Sequence, residues 1–143
     1  MKNNGQSRTP VPTVEIVKQD LRRLRKLAHA ISAEIRARES HEARLTYLRS
    51  IEDPGEDVLI DIMRVEDAIA SLRVDAHIRE ASELEDKYMD AIALLDPLDR
   101  AIIIDGYVNG KPYWKIGRDI GYTEAGVKKR VTAAIENIAA RIK

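Results

Sequence analysis

Apolar residues at Val14, Val17, Leu21, Leu24, Ala28, Ile31 and Ile35 recur in alternating steps of three and four, which constrains the fold more than any other feature. Side chains three or four apart share one helix face, so three such heptads predict a long α-helix with a narrow apolar seam. Arg38 and Glu42 interrupt the seam, and Leu45, Leu48 and Ile51 resume it. Glu52-Asp53-Pro54-Gly55-Glu56 then stops the helix, because proline lacks the N–H that a helix interior needs and glycine supplies a turn conformation. A second seam runs through Val58, Ile62, Val65, Ile69, Leu72 and Ala76. It slips in phase between His77 and Glu80 and continues at Ala81, Leu84, Tyr88, Ala91 and Leu95. Two helices of about forty residues on either side of a short breaker predict an antiparallel hairpin. Folding at Pro54 sets Ile35 level with Arg73 and Val14 level with Leu94. Seams this narrow leave apolar surface uncovered, so the hairpin is expected to self-associate as a homodimer, a four-helix bundle, or a higher homo-oligomer.

The composition agrees with an all-α class. Of 143 residues, 34% are charged and 44% hydrophobic, yet there is no Phe and aromatics make up only 4%. That mix suits exposed helices with thin seams better than a thick core. Cysteine is absent, which rules out disulfides and thiolate metal sites. His29, His41 and His77 stand far apart among charged residues, so neither a metal site nor a cofactor is expected. Carboxylates are spread over solvated faces, and no phosphate-binding glycine loop or nucleophile motif occurs; the chain reads as a non-enzyme. With no uncharged run of roughly 20 apolar residues and no apolar leader, a cytoplasmic protein without membrane contact is expected.

Charge is neutral overall but unevenly placed. Residues 97–143 carry nine Lys/Arg against five Asp/Glu, residues 13–96 carry thirteen against nineteen, and residues 1–12 add two bases. A basic end and an acidic middle point to nucleic acid as a partner of the former. Residues 1–12, with two prolines and no periodicity, read as a disordered tail. Residues 13–96 then form the hairpin, which Thr13 can cap. Residues 97–143 form a separate module, opened by Asp96-Pro97 because proline suits a first helical turn.

Within that module the pattern reads helix, turn, short helix, tight turn, longer helix. Residues 98–108 form the first helix and Asn109-Gly110 a turn. Pro112 opens the second helix, and a final one runs from Glu124 to Ile142. Gly117, four residues before Gly121, fits a close approach between helices, and Gly121 can take the positive φ of a sharp turn. Thr123 can cap the last helix, and Val127, Val131, Ala134, Ile135, Ile138 and Ile142 repeat at helical spacing as its buried stripe. Ala125, Lys128, Lys129 and Thr132 then project away from the core, a short-chained and basic face suited to a major groove of double-stranded DNA. Glu124 can accept from a cytosine amino group, while Lys115 and Arg130 lie to the side, where phosphates run. Thr123, Glu124, Ala125, Lys128, Lys129, Thr132, Lys115 and Arg130 are thus the candidate DNA-binding residues.

Leu95-Asp96-Pro97-Leu98-Asp99-Arg100 through Tyr107-Val108-Asn109-Gly110, followed by Trp114-Lys115-Ile116-Gly117-Arg118-Asp119-Ile120-Gly121-Tyr122-Thr123, resembles region 4 of sigma-70-type factors. The rest of the chain lacks the other sigma regions, including an aromatic-rich helix for promoter melting. A long charged helical part before such an end is similar to small phage and prophage transcriptional regulators of the ArpU and RinA-like group. The resemblance implies a sequence-specific DNA-binding helix-turn-helix regulator and contact with RNA polymerase. Two other readings stay open: an adaptor that docks on polymerase or a sigma factor without its own DNA site, and the DNA-recognition subunit of a phage packaging motor. Two side-chain expectations complete the reading. Trp114 is expected in the core against Tyr107. Arg22, Arg23, Arg25 and Lys26 are expected to pair with acids of the second helix such as Glu80, Glu83, Glu85 and Asp86.

Overall fold

The computed structural model describes residues 13–142, all-helical with no strand among them. The expected tail, residues 1–12, lies outside the described residues. Six α-helices follow in order: α1 (Thr13–Arg49), α2 (Glu56–Ala70), α3 (Val74–Ala93), α4 (Pro97–Ile103), α5 (Tyr113–Ile120) and α6 (Glu124–Arg141). A π-helical turn, Ile104–Val108, extends α4. No described helix is long and apolar enough to cross a membrane. Residues 13–26 and 82–142 form one compact unit, and Leu27–Ala81 a second. The unit boundaries fall inside α1 and α3, and Pro97 opens α4.

The second unit shows how local chemistry breaks the chain. Ser50 folds back on α1, its Oγ donating to the Tyr47 carbonyl at 2.6 Å, and the left-handed residue of the breaker is Asp53 (φ 50°) rather than Gly55, which is extended. The expected second helix of about forty residues is in fact two helices, α2 and α3, separated at residues 71–73. Ser71 takes the Asp67 carbonyl with both its N–H (3.0 Å) and its hydroxyl (2.8 Å), closing α2. The Arg73 amide leaves the helical ladder and donates to Glu34 Oε2 of α1 at 3.0 Å, at the first turn of α3. Glu34 also meets His77 Nδ1 at 2.7 Å through its other oxygen. Together these bonds hold its carboxyl below the usual carboxylate range, the Arg73 amide contributing most. The phase slip lies just beyond this break.

Burial in this unit is thin. Leu45, Leu48 and Val65 form its buried cluster, with Ile51, Val58, Ile62 and Ile69 half-covered against it. The seam of α1 departs from the expected path, since Leu27 (1% exposed) is buried in place of Ala28 and Ile35 stands open to solvent. A shift of one position uses the larger leucine, which removes more apolar area from water than alanine would. Arg44 pairs with Asp61 and Arg49 with Glu66 across α1 and α2.

The first unit is packed far more fully. Val17 and Leu21 of α1 are completely buried, as are Tyr88, Ile103, Val127, Ile135 and Ile138. The buried Tyr88 hydroxyl donates to Asp20, whose other contact is Lys87 Nζ at 3.2 Å. Desolvation and the Asp20 carboxylate both push that phenol well above its ordinary pKa. Arg100 of α4 reaches back to the Ala93 (2.9 Å) and Leu95 (3.2 Å) carbonyls, satisfying acceptors that the end of α3 leaves open.

Candidate nucleic-acid interface

The geometry around α5 and α6 follows from two glycines. Gly121 adopts φ 80°, a left-handed conformation that ends α5, and the Gly117 carbonyl accepts the Tyr122 N–H at 2.7 Å. A Cβ on Gly117 would lie 2.5 Å from the Tyr122 carbonyl oxygen, so the backbone of the turn occupies the space a side chain would need. Three residues later the chain is helical again. Thr123 is extended and its Oγ1 accepts the Gly126 N–H at 3.0 Å, which caps α6. Val127, Val131, Ala134, Ile135 and Ile138 are buried, as their spacing predicts, while Ile142 stays half-buried.

At about 100° per residue, this stripe leaves Ala125, Lys129 and Thr132 on the opposite side of α6, with Lys128 on one flank and Arg130 on the other. Thr123, Glu124, Ala125, Lys128, Lys129 and Thr132 are all exposed. The Thr132 hydroxyl donates to the Lys128 carbonyl at 3.0 Å. Lys115, on α5, is exposed as well. Lys115, Lys128 and Lys129 form no ion pair with any described residue, and all three face solvent.

Arg130 carries a contact the sequence did not reveal, and two expectations, for Trp114 and for Arg22 with Arg25, are corrected. The Arg130 Nε donates to Asp99 Oδ1 at 2.8 Å, its guanidinium sits 5.7 Å from the Tyr122 ring centre, and the Asp99 bond raises its pKa. The Asp99 bond ties α6 to α4 through Nε alone, so the terminal guanidinium nitrogens of Arg130 stay on the flank of α6. Trp114 is 53% exposed, with the Arg118 guanidinium 5.2 Å from its ring, and does not seal the core. Tyr113 takes the place beside Tyr107, and burial together with that neighbour pushes its phenol up to about 12. Finally, Arg22 and Arg25 do not turn to acids of α3. Arg22 lies 5.6 Å from the Tyr107 ring centre, and both arginines border a recess with Gly110 and Lys111. An ion pair of the opposite sense, acid on α1 and base on α3, joins Asp20 to Lys87.

Sequence reasoning missed the aromatic–arginine contacts at Trp114, Tyr122 and Tyr107. Their signal was present only as aromatics scattered through a basic module. Lys111 is also fixed, with Asp119 at 2.8 Å and Asp105 at 4.0 Å; the Asp119 bond raises the lysine pKa and lowers that of the aspartate. Comparison with protein-family models, curated proteins and solved structures returns no match.

Proposed function

We propose that the chain is a sequence-specific DNA-binding transcriptional regulator of phage or prophage type, a sigma region 4-like helix-turn-helix that inserts α6 into the major groove. One observation carries the reading. A capped helix follows a glycine-bounded turn and holds two unpaired lysines, Lys128 and Lys129, on its exposed side. Free ammonium groups on such a helix can meet base edges or phosphates without first breaking an ion pair. Thr123, Glu124, Ala125 and Thr132 complete the groove-facing surface, and Lys115 on α5 reaches a flanking phosphate. The regulator acts in the cytoplasm as a homodimer, holding two copies of α6 about 34 Å apart or a multiple of that distance. Exposed Tyr47, Leu59 and Met63 in the second unit support self-association.

The test begins with selection of bound duplexes from a random pool. Gel shifts on the selected site then compare Lys129→Ala and Lys128→Glu with the parent chain, circular dichroism verifying the fold. Each variant is expected to weaken binding by about five- to 150-fold, equivalent to the roughly 1–3 kcal/mol of a good base contact. A steep fall of affinity with salt should accompany binding. Unchanged affinity in both variants rejects α6 as the reading helix. Absence of any salt-dependent DNA binding favours the adaptor that contacts RNA polymerase through protein surfaces alone.

A further inference from the structure

A second basic feature of the first unit lies apart from the exposed side of α6. Arg22 and Arg25, three residues apart on α1, share one helix face and border an open recess of about 290 Å³ with Tyr107, Lys111 and Tyr113. The volume sits at the small end of ligand clefts. Three cations line it and no carboxylate does. Lys111 is already engaged by Asp119 and Asp105, so the unspent charge is that of the two arginines. Arg22 contacts a ring face, which leaves most of its five N–H donors available, and Arg25 has no ion pair among the described residues.

Two glycines make room for side chains that border the recess, Arg25 over Gly110 and the Tyr113 ring over Gly106. Gly110 has φ 73°, and a Cβ there would fall 2.5 Å from Arg25 Nη1. A Cβ on Gly106 would come 3.1 Å from the Tyr113 ring. The π-helical turn presents Gly106 and Tyr107 to the recess; such turns cost hydrogen-bond geometry and gather at functional sites.

We infer that this recess binds a phosphate-type oxyanion, held by the Arg22 and Arg25 guanidiniums. Guanidinium forks match the paired oxygens of a phosphate, and two of them on one helix face form a clamp. The phosphate can belong to a DNA backbone or to a free phosphorylated molecule. The inference does not depend on the role given to α6.

The test records amide and arginine Nε–H resonances of the full chain during titration with inorganic phosphate, pyrophosphate and a DNA duplex. Saturable shifts are expected at Gly106, Tyr107, Gly110 and the Arg22 and Arg25 side chains. Arg25→Gln is expected to lower the affinity at least tenfold, with Arg22→Gln as a second variant and thermal melting verifying the fold of each. The same shifts with duplex, and displacement of phosphate by it, assign the site to a DNA phosphodiester. Shifts with phosphate or pyrophosphate that duplex does not displace assign it to a free ligand. The Lys128→Glu variant should retain the phosphate shifts, so failure of α6 as a reading helix leaves this result intact. No saturable shift with any of the three probes, or unchanged affinity in both arginine variants, overturns the proposal.

Discussion

The two compact units bury their apolar residues to different degrees. In the unit that contains α4, α5 and α6, Ile103, Val127, Ile135 and Ile138 show no exposed area, and glycine positions let backbone meet backbone. In the unit spanning Leu27–Ala81, Leu27 and Val74 are closed as well, but the cluster of Leu45, Leu48 and Val65 is 4–9% exposed. There Tyr47, Leu59 and Met63 are each at least half exposed. Both regions have helical periodicity and similar residue types. Helical order therefore says little about how much apolar area leaves water, and packing rather than periodicity separates a closed core from an open apolar surface.

The largest expected effect sharpens that contrast. Ile135→Ala should destabilise the first unit by about 4 kcal/mol, since the site is closed on all sides, whereas Leu45→Ala in the second should cost about 2 kcal/mol. Urea unfolding measures both, and equal losses would break the comparison. Gly117→Ala comes next, at about 2 kcal/mol, because its methyl would press on the Tyr122 carbonyl rather than on a yielding side chain. A shift below about 0.5 kcal/mol would show that the turn can relax. On the exposed side of α2, Leu59→Ser with Met63→Ser should change monomer stability by about 0.5 kcal/mol or less. Sedimentation of the double variant at rising concentration checks whether the same residues are covered in an oligomer; a large stability loss with lower mass would mean they are.

The smallest effect is one of pH, and it belongs to the second unit. Glu34 is more acidic when folded than a free carboxylate, so its bonds to the Arg73 amide and His77 stabilise that unit above the unfolded pKa. The contribution fades as pH falls from the ordinary carboxylate range through the depressed folded value. Melting from pH 7 to pH 3 should thus show a steeper acid loss for the parent chain than for Glu34→Gln. Parallel curves would remove Glu34 from the account.

What could be read from the sequence follows the range of the interaction. Gly117, Gly121, Thr123 and Val127 lie within eleven residues, so their turn, cap and buried anchor were legible as a local pattern. The break at residues 71–73 was not, because no proline or glycine marks it and its carboxylate partner, Glu34, lies 39 residues away. The choice of Leu27 over Ala28 was equally hidden: both satisfy a heptad within one step, and only the facing surface decides. Arg130 read as a free base for a similar reason, since its Asp99 partner is 31 positions upstream. Trp114 read as core from its place two residues before Ile116 at the helix start, although Arg118 one turn later offered its ring a cation in solvent.

The π-helical turn has a consequence for tolerance to length change. Its Ile104 carbonyl accepts from the Asn109 N–H at 2.9 Å, one residue farther than an α-helix allows, so the stretch holds a single extra residue within an otherwise ordinary helix. Loss of one codon there would restore regular winding and turn everything downstream by about 100° relative to α4. Tyr107 would leave its buried position in that frame. A one-residue deletion at Asp105 should therefore be worse tolerated than any single substitution of the same stretch.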